Sequence, residues 1–171
     1  MKQAAAAIVI IGAIFHGMQG LAQTGATTTP RAQGYDRLGP LVGRWTIKGR
    51  EDKYLEVCRW YEGNFHIVCE AENQRADGTV SRSMSILGYL PDQDRYTYHG
   101  IGGKGRNETM SGVFADGILE FTAESIDDGA PVISRVRVGP FAEREIPFVA
   151  ESSTDRRNWA VEASFTYIRL E

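Results

Sequence analysis

From Arg44 to the C-terminus, apolar and polar residues alternate in short runs, and no apolar stripe of helical period persists. The alternation predicts strands over Arg44 to Arg50, Tyr54 to Glu62, Phe65 to Asn73, Val80 to Tyr89 and Tyr96 to Gly100. It continues over Glu108 to Phe114, Ile118 to Glu124, Val132 to Val138, Glu145 to Glu151 and Trp159 to Leu170. Turn-forming residues separate them: Gly63-Asn64, Asp77-Gly78, Pro91-Asp92, Asp116-Gly117, Asp128-Gly129 and Asp155 to Asn158. Spacing this close pairs sequential strands antiparallel. About ten short strands joined by hairpins hide their edges by closing into an up-and-down β-barrel, with a two-sheet sandwich as the alternative.

Each run has an apolar face. On the closing strand Trp159, Val161, Ala163, Phe165 and Tyr167 share one side, and Leu119, Phe121 and Ala123 repeat the pattern. In the hairpin "CRWYEGNFHIVC" the set is Cys58, Trp60, Phe65, Ile67 and Cys69. Such faces line either a filled core or a cavity, and a ring of ten strands encloses more space than one of eight. A small apolar or amphipathic ligand in the interior is therefore expected, with Trp60, Tyr98, His99, Phe121 and Trp159 as its candidate lining.

The stretch "PLVGRWTIKG" breaks with Pro40, places Gly43 two residues before Trp45, and then alternates. A large ring entering after a glycine can plug the barrel floor. "VGRW" resembles the Gly-X-Trp opening of lipocalins and related calycin barrels. That resemblance implies an arginine of the last strand lying across the ring, and "FTYIRL" supplies Arg169. Gly43, Trp45 and Arg169 are the expected floor. Over most of the chain, "LVGRW", "CRWYEGNFHIVCE", "SILGYLPDQDRYTYHG" and "DRRNW" together resemble an exported bacterial family of unknown function with a calycin-like barrel. The resemblance implies fold and compartment, and it brings no catalytic residues with it.

Both cysteines lie in one predicted hairpin. With Gly63 and Asn64 as a two-residue loop, Cys58 falls opposite Cys69, expected at a hydrogen-bonded position with Cα atoms about 5.5 Å apart. A structural disulfide is the expectation. The spacing is not that of a redox C-x-x-C pair, and two cysteines without a second ligand pair make a poor zinc site.

The N-terminus has the layout of an export signal: Lys2, the apolar run "AAAAIVIIGAIF" and small residues up to Ala22. Residues 1–22 are expected to be removed, 23–34 to form a polar leader, and 35–171 to form one barrel domain, exported to the periplasm or secreted. No cysteine lies near the expected cleavage site and no later apolar run is long enough to span a bilayer, so no membrane anchor is expected in the mature chain. The net charge of −3 comes from basic residues scattered among acids, which argues against nucleic acid as a partner. "HGIGGKGR" lacks the Ser or Thr and the following helix of a phosphate-binding loop. His66 shares a face with Arg59, Tyr61 and Glu70 and reads as solvated, whereas His99 falls near a rim. No catalytic, cofactor-binding or metal-binding residues are assigned. The alternatives to ligand binding are an interaction or stability module with a filled core, and a hydrolase or isomerase using rim acids or His99.

Overall fold

The computed structural model describes residues 33–105 and 107–170. The expected signal segment and all of the leader before Gln33 lie outside them. A short helix, α1 (Gln33–Asp36), and a 3-10 turn at Gly39–Leu41 lead into ten strands. These are β1 (Gly43–Ile47), β2 (Tyr54–Trp60), β3 (His66–Gln74), β4 (Val80–Leu90) and β5 (Arg95–Gly102). The rest are β6 (Asn107–Ala115), β7 (Ile118–Asp127), β8 (Ala130–Val138), β9 (Glu145–Ser153) and β10 (Ala160–Leu170). Each strand pairs antiparallel with its sequence neighbours, and β1 pairs with β10 to close the barrel. The up-and-down barrel expected from the alternation is the architecture found.

Asp-Gly pairs make several of the hairpins because both residues must adopt positive φ: Asp116 and Gly117 lie at 52° and 78°, Asp128 and Gly129 at 47° and 79°. The β2–β3 register is the expected one, with Cys58 opposite Cys69 and Trp60 opposite Ile67. Its loop is wider than two residues, a 3-10 turn at Glu62–Asn64 closed by Tyr61 N–H donating to His66 O at 2.8 Å. That bond makes Tyr61 and His66 a hydrogen-bonded pair. Counting outward, Cys58 and Cys69 occupy a non-hydrogen-bonded site, where opposed residues approach more closely. Their Cα atoms are 4.0 Å apart, and the disulfide is formed.

The floor is built from both ends of the chain. Trp45, 2% exposed, donates its Nε1–H to Leu41 O at 2.8 Å. The Arg169 guanidinium lies 4.2 Å above the Trp45 ring. It donates to the carbonyls of Val42 at 2.7 Å, Pro40 at 2.8 Å and Glu143 at 2.9 Å. Gly43, at φ 145°, is required here because a Cβ would collide with the Arg169 guanidinium. Below this layer α1 and the residues after it close the end: Leu38 is fully buried, and Tyr35 packs edge-on against Phe65 and Tyr89 at 5.3 Å each. Tyr96 Oη donates to Gly34 O at 3.1 Å. Gln33 and Gly34, assigned to the leader from the alternation, lie in α1, and Gly34 O accepts the Tyr96 hydroxyl.

One irregularity changes which residues face inward. Along β10, Val161 pairs with Glu151 and Ala163 with Ala150, so Glu162 is an extra residue without a partner on β9. A bulge of this kind reverses the side-chain alternation beyond it. Ala163, Phe165 and Tyr167 face the interior, while Val161, 62% exposed, faces outward. Trp159 leaves the inner set for the same reason. Its ring lies 3.7 Å from the Arg135 guanidinium on the outer face. Arg135 and Arg137 both donate to the buried Glu151 carboxylate, at 2.9 Å and 3.1 Å. The connecting loop is pinned over this face by Arg156, paired with Glu124, and by Asp155, which accepts from the backbone N–H groups of Arg157 and Asn158 at 2.8 Å each. Those backbone bonds hold the Asp155 carboxyl well below the ordinary carboxylate range.

Candidate functional site

The interior of the barrel changes character along its axis. Toward the floor the inward side chains are bulky and buried, among them Trp45, Ile67, Leu87, Tyr96, Leu119 and Ile146. Toward the opposite end, where the Asp77-Gly78, Gly103–Gly105 and Asp128-Gly129 turns lie, small residues stand among the rings of Tyr54, Tyr98, Phe148, Phe165 and Tyr167. Ser85, Ala123, Ser134, Ala150 and Ala163 face inward by register yet keep intermediate solvent exposure. The part of the interior that these side chains line is termed the upper chamber. Phe148 and Phe165, stacked at 4.5 Å, form part of its apolar wall.

The facing wall is polar. In β2 the sequence "YLEVCRW" sends Tyr54, Glu56, Cys58 and Trp60 inward. Glu56 stands opposite Trp45 on β1 and Ala71 on β3, and the Tyr54 hydroxyl donates to its Oε2 at 3.0 Å. The Tyr167 ring lies beside Tyr54, with centroids 6.2 Å apart, and its hydroxyl faces the same group. Tyr98 lies along the same surface, its ring folded over Gly100 so closely that a Cβ there would sit 2.7 Å from Tyr98 Oη. Burial raises the Glu56 carboxyl above its ordinary value, against the hydrogen bonds from Tyr54 and Tyr167 that lower it. Burial likewise drives the Tyr54 and Tyr167 phenols well above theirs, with the Glu56 charge adding to the shift.

The five residues expected to line a ligand site divide by strand geometry. Tyr98 faces the chamber. Phe121, buried, lies beneath it with ring centroids 5.8 Å apart. Trp60 is inward but packs against the floor cluster. His99 is exposed on the outer face, its Nδ1 3.2 Å from Thr109 Oγ1, since adjacent strand residues cannot both point inward. Trp159 is on the outer face by virtue of the bulge. The chamber's polar residues, Tyr54, Glu56, Tyr167 and Ser85, were not among the five. A legible signal for Glu56 existed: a carboxylate in phase with Cys58 and Trp60.

A raised carboxyl pKa has a definite sign in stability. The folded state holds the Glu56 proton at pH values where the unfolded chain, at about 4.3, has released it. Stability from this group is fully present below that range and is lost as pH rises through the raised value. Glu56→Gln removes the effect, so the stability difference between Gln variant and native protein is expected to grow in the variant's favour as pH rises, measured by urea unfolding across pH 4 to 8. A difference independent of pH would contradict the buried placement.

Glu56, Cys58 and Cys69 carry potential ligand atoms within 4.8 Å of one another, but the two sulfurs are bonded to each other in the disulfide. On the barrel's outside an open groove of 160 Å³ is bounded by Glu124, Ile126, Pro131 and Ile133. That is small beside the several hundred Å³ of most ligand pockets. No helix among the described residues is long and apolar enough to cross a membrane. The fold is a closed ten-stranded antiparallel barrel, consistent with calycin and lipocalin-like architecture. No family model matches the chain, and no curated protein matches it.

Proposed function

We propose that the protein binds a small amphipathic molecule in the upper chamber, its apolar part against Ala123, Ala150, Ala163 and Phe165 and its polar end toward Tyr54, Glu56 and Tyr98. The observation that carries this reading is the group of small inward residues, Ser85, Ala123, Ser134, Ala150 and Ala163, each of intermediate exposure, set against a wall of aromatic rings in the half away from the floor. A barrel built only for stability gains by filling its interior at native density. The resemblance to exported bacterial calycin-like barrels and the signal-like residues 1–22 support a role in the periplasm or outside the cell, with the barrel and its floor helix as the working domain.

The test is to fill the chamber. Ala150→Phe is expected to weaken binding of octan-1-ol, followed by calorimetry, by at least about tenfold, because the ring occupies the ligand's space. Val161→Phe, on the outer face, should bind as the native protein does. Native-like binding by a folded Ala150→Phe variant would place the ligand elsewhere.

A further inference from the structure

We infer that Cys58, Cys69 and Glu56 form a site for one thiophilic divalent cation, Zn2+ or Cd2+, which the disulfide masks and reduction by a dithiol unmasks. The two sulfurs and a Glu56 carboxylate oxygen already lie within 4.8 Å of one another, the one group of three or more His, Cys, Asp or Glu ligand atoms gathered this closely among the described residues. The cysteine spacing supplies two ligands, and strand phase supplies the third. β2 sends Glu56 and Cys58 to the same side. The β2–β3 register sets Cys69 opposite Cys58 and Ala71 opposite Glu56, so Glu56 and Cys69 are diagonal neighbours across the pair.

A tetrahedral Zn2+ takes thiolate sulfur at about 2.3 Å and carboxylate oxygen at about 2.0 Å, which puts its ligand atoms about 3.5–4 Å apart. Cleavage of the S–S bond lets the sulfurs reach that separation by side-chain rotation, while β1 and β4 keep both strands in place. The Tyr54 hydroxyl donates to Glu56 Oε2 at 3.0 Å and orients the carboxylate, as outer-shell hydrogen bonds do for metal ligands. Two sulfur donors favour thiophilic ions over Mg2+ and Ca2+, which take oxygen. Reduction transfers two electrons and two protons from the dithiol, which closes to its own disulfide, and leaves Cys58 and Cys69 as thiols. The ion then displaces both thiol protons to solvent and is held by two thiolates and one carboxylate, with water completing the shell.

Cys58 and Cys69 are 6% and 4% exposed, so the full chain is reduced with dithiothreitol in urea, refolded and freed of reductant under argon. Thiol counting and the far-UV spectrum check the product. Titration with Cd2+ is expected to give a thiolate-to-cadmium charge-transfer band saturating at one ion per chain, and to raise the Tm of the reduced protein, because the folded arrangement binds the ion better than the unfolded chain does. Unreduced protein should give no band. Glu56→Gln, reduced and folded, is expected to bind Cd2+ at least about tenfold more weakly, a loss that even outer-shell partners produce. If that variant does not fold, X-ray absorption of the native Zn2+ complex decides, with two sulfurs at about 2.3 Å and oxygen in the rest of the shell as the expected result. A different sulfur count, no saturable band in reduced protein, a Tm unchanged or lowered by Cd2+, or native affinity in folded Glu56→Gln overturns the inference.

Discussion

Trp45→Ala is expected to lower stability by about 3–5 kcal/mol, the range of buried aromatic truncations. The ring is buried, ties its Nε1–H to Leu41 O, and carries the Arg169 guanidinium on its face. Arg169→Ala is expected to cost about 2–4 kcal/mol, because three backbone carbonyls from two segments lose a charged donor along with the stacked ring contact. The two losses should fall short of additivity by about 1 kcal/mol or more, since removing the ring also removes the surface that the guanidinium covers. Urea unfolding of the native protein, both single variants and the double variant measures the coupling. Full additivity would mean that Trp45 and Arg169 do not support each other.

The second large effect is on the disulfide. Reducing Cys58–Cys69 frees a short loop and is expected to destabilise by about 3 kcal/mol on the chain-entropy account, which corresponds to a drop in Tm of roughly 10 °C. The far-UV spectrum should stay that of a β-barrel below the new Tm. The β2–β3 register does not depend on the bond: β2 is also held by β1, and β3 by β4. An unchanged Tm after complete reduction, checked by thiol counting, would show that the link constrains nothing in the unfolded chain.

Strand positions were legible because period-two alternation and Asp-Gly turns are local signals, and each of the ten expected strands is present with ends shifted by a few residues. The Trp45–Arg169 contact was legible because its two motifs mark opposite ends of one closed ring. The helix that seals the floor was not, because "QGYD" is too short to show periodicity and its burial comes from distant rings, Phe65 and Tyr89. Trp159 was misplaced because a bulge leaves no mark in composition. An extra Glu162 in an otherwise regular strand reads as one more alternating residue. His99 was misplaced for a simpler reason. Tyr98 and His99 are neighbours in β5, and extended backbone sends neighbours to opposite faces. The polar wall was half legible: the phase of Glu56 with Cys58 can be read from β2, but its meeting with Tyr167 requires the β1–β10 closure that brings the last strand beside the first.

The central claim is that ligand enters the upper half of the barrel and stops above a filled floor. Methyl-resolved NMR during an octan-1-ol titration tests it most directly. Ala123, Ala150 and Ala163 face the chamber, Ile67 and Ile146 lie in the floor, and Val113 and Val161 face outward. The account predicts saturable shifts at the three alanine methyls, small effects at the floor isoleucines and none at the outward valines. Shifts confined to Val113 and Val161, or no saturable shift at Ala123, Ala150 and Ala163, would contradict it.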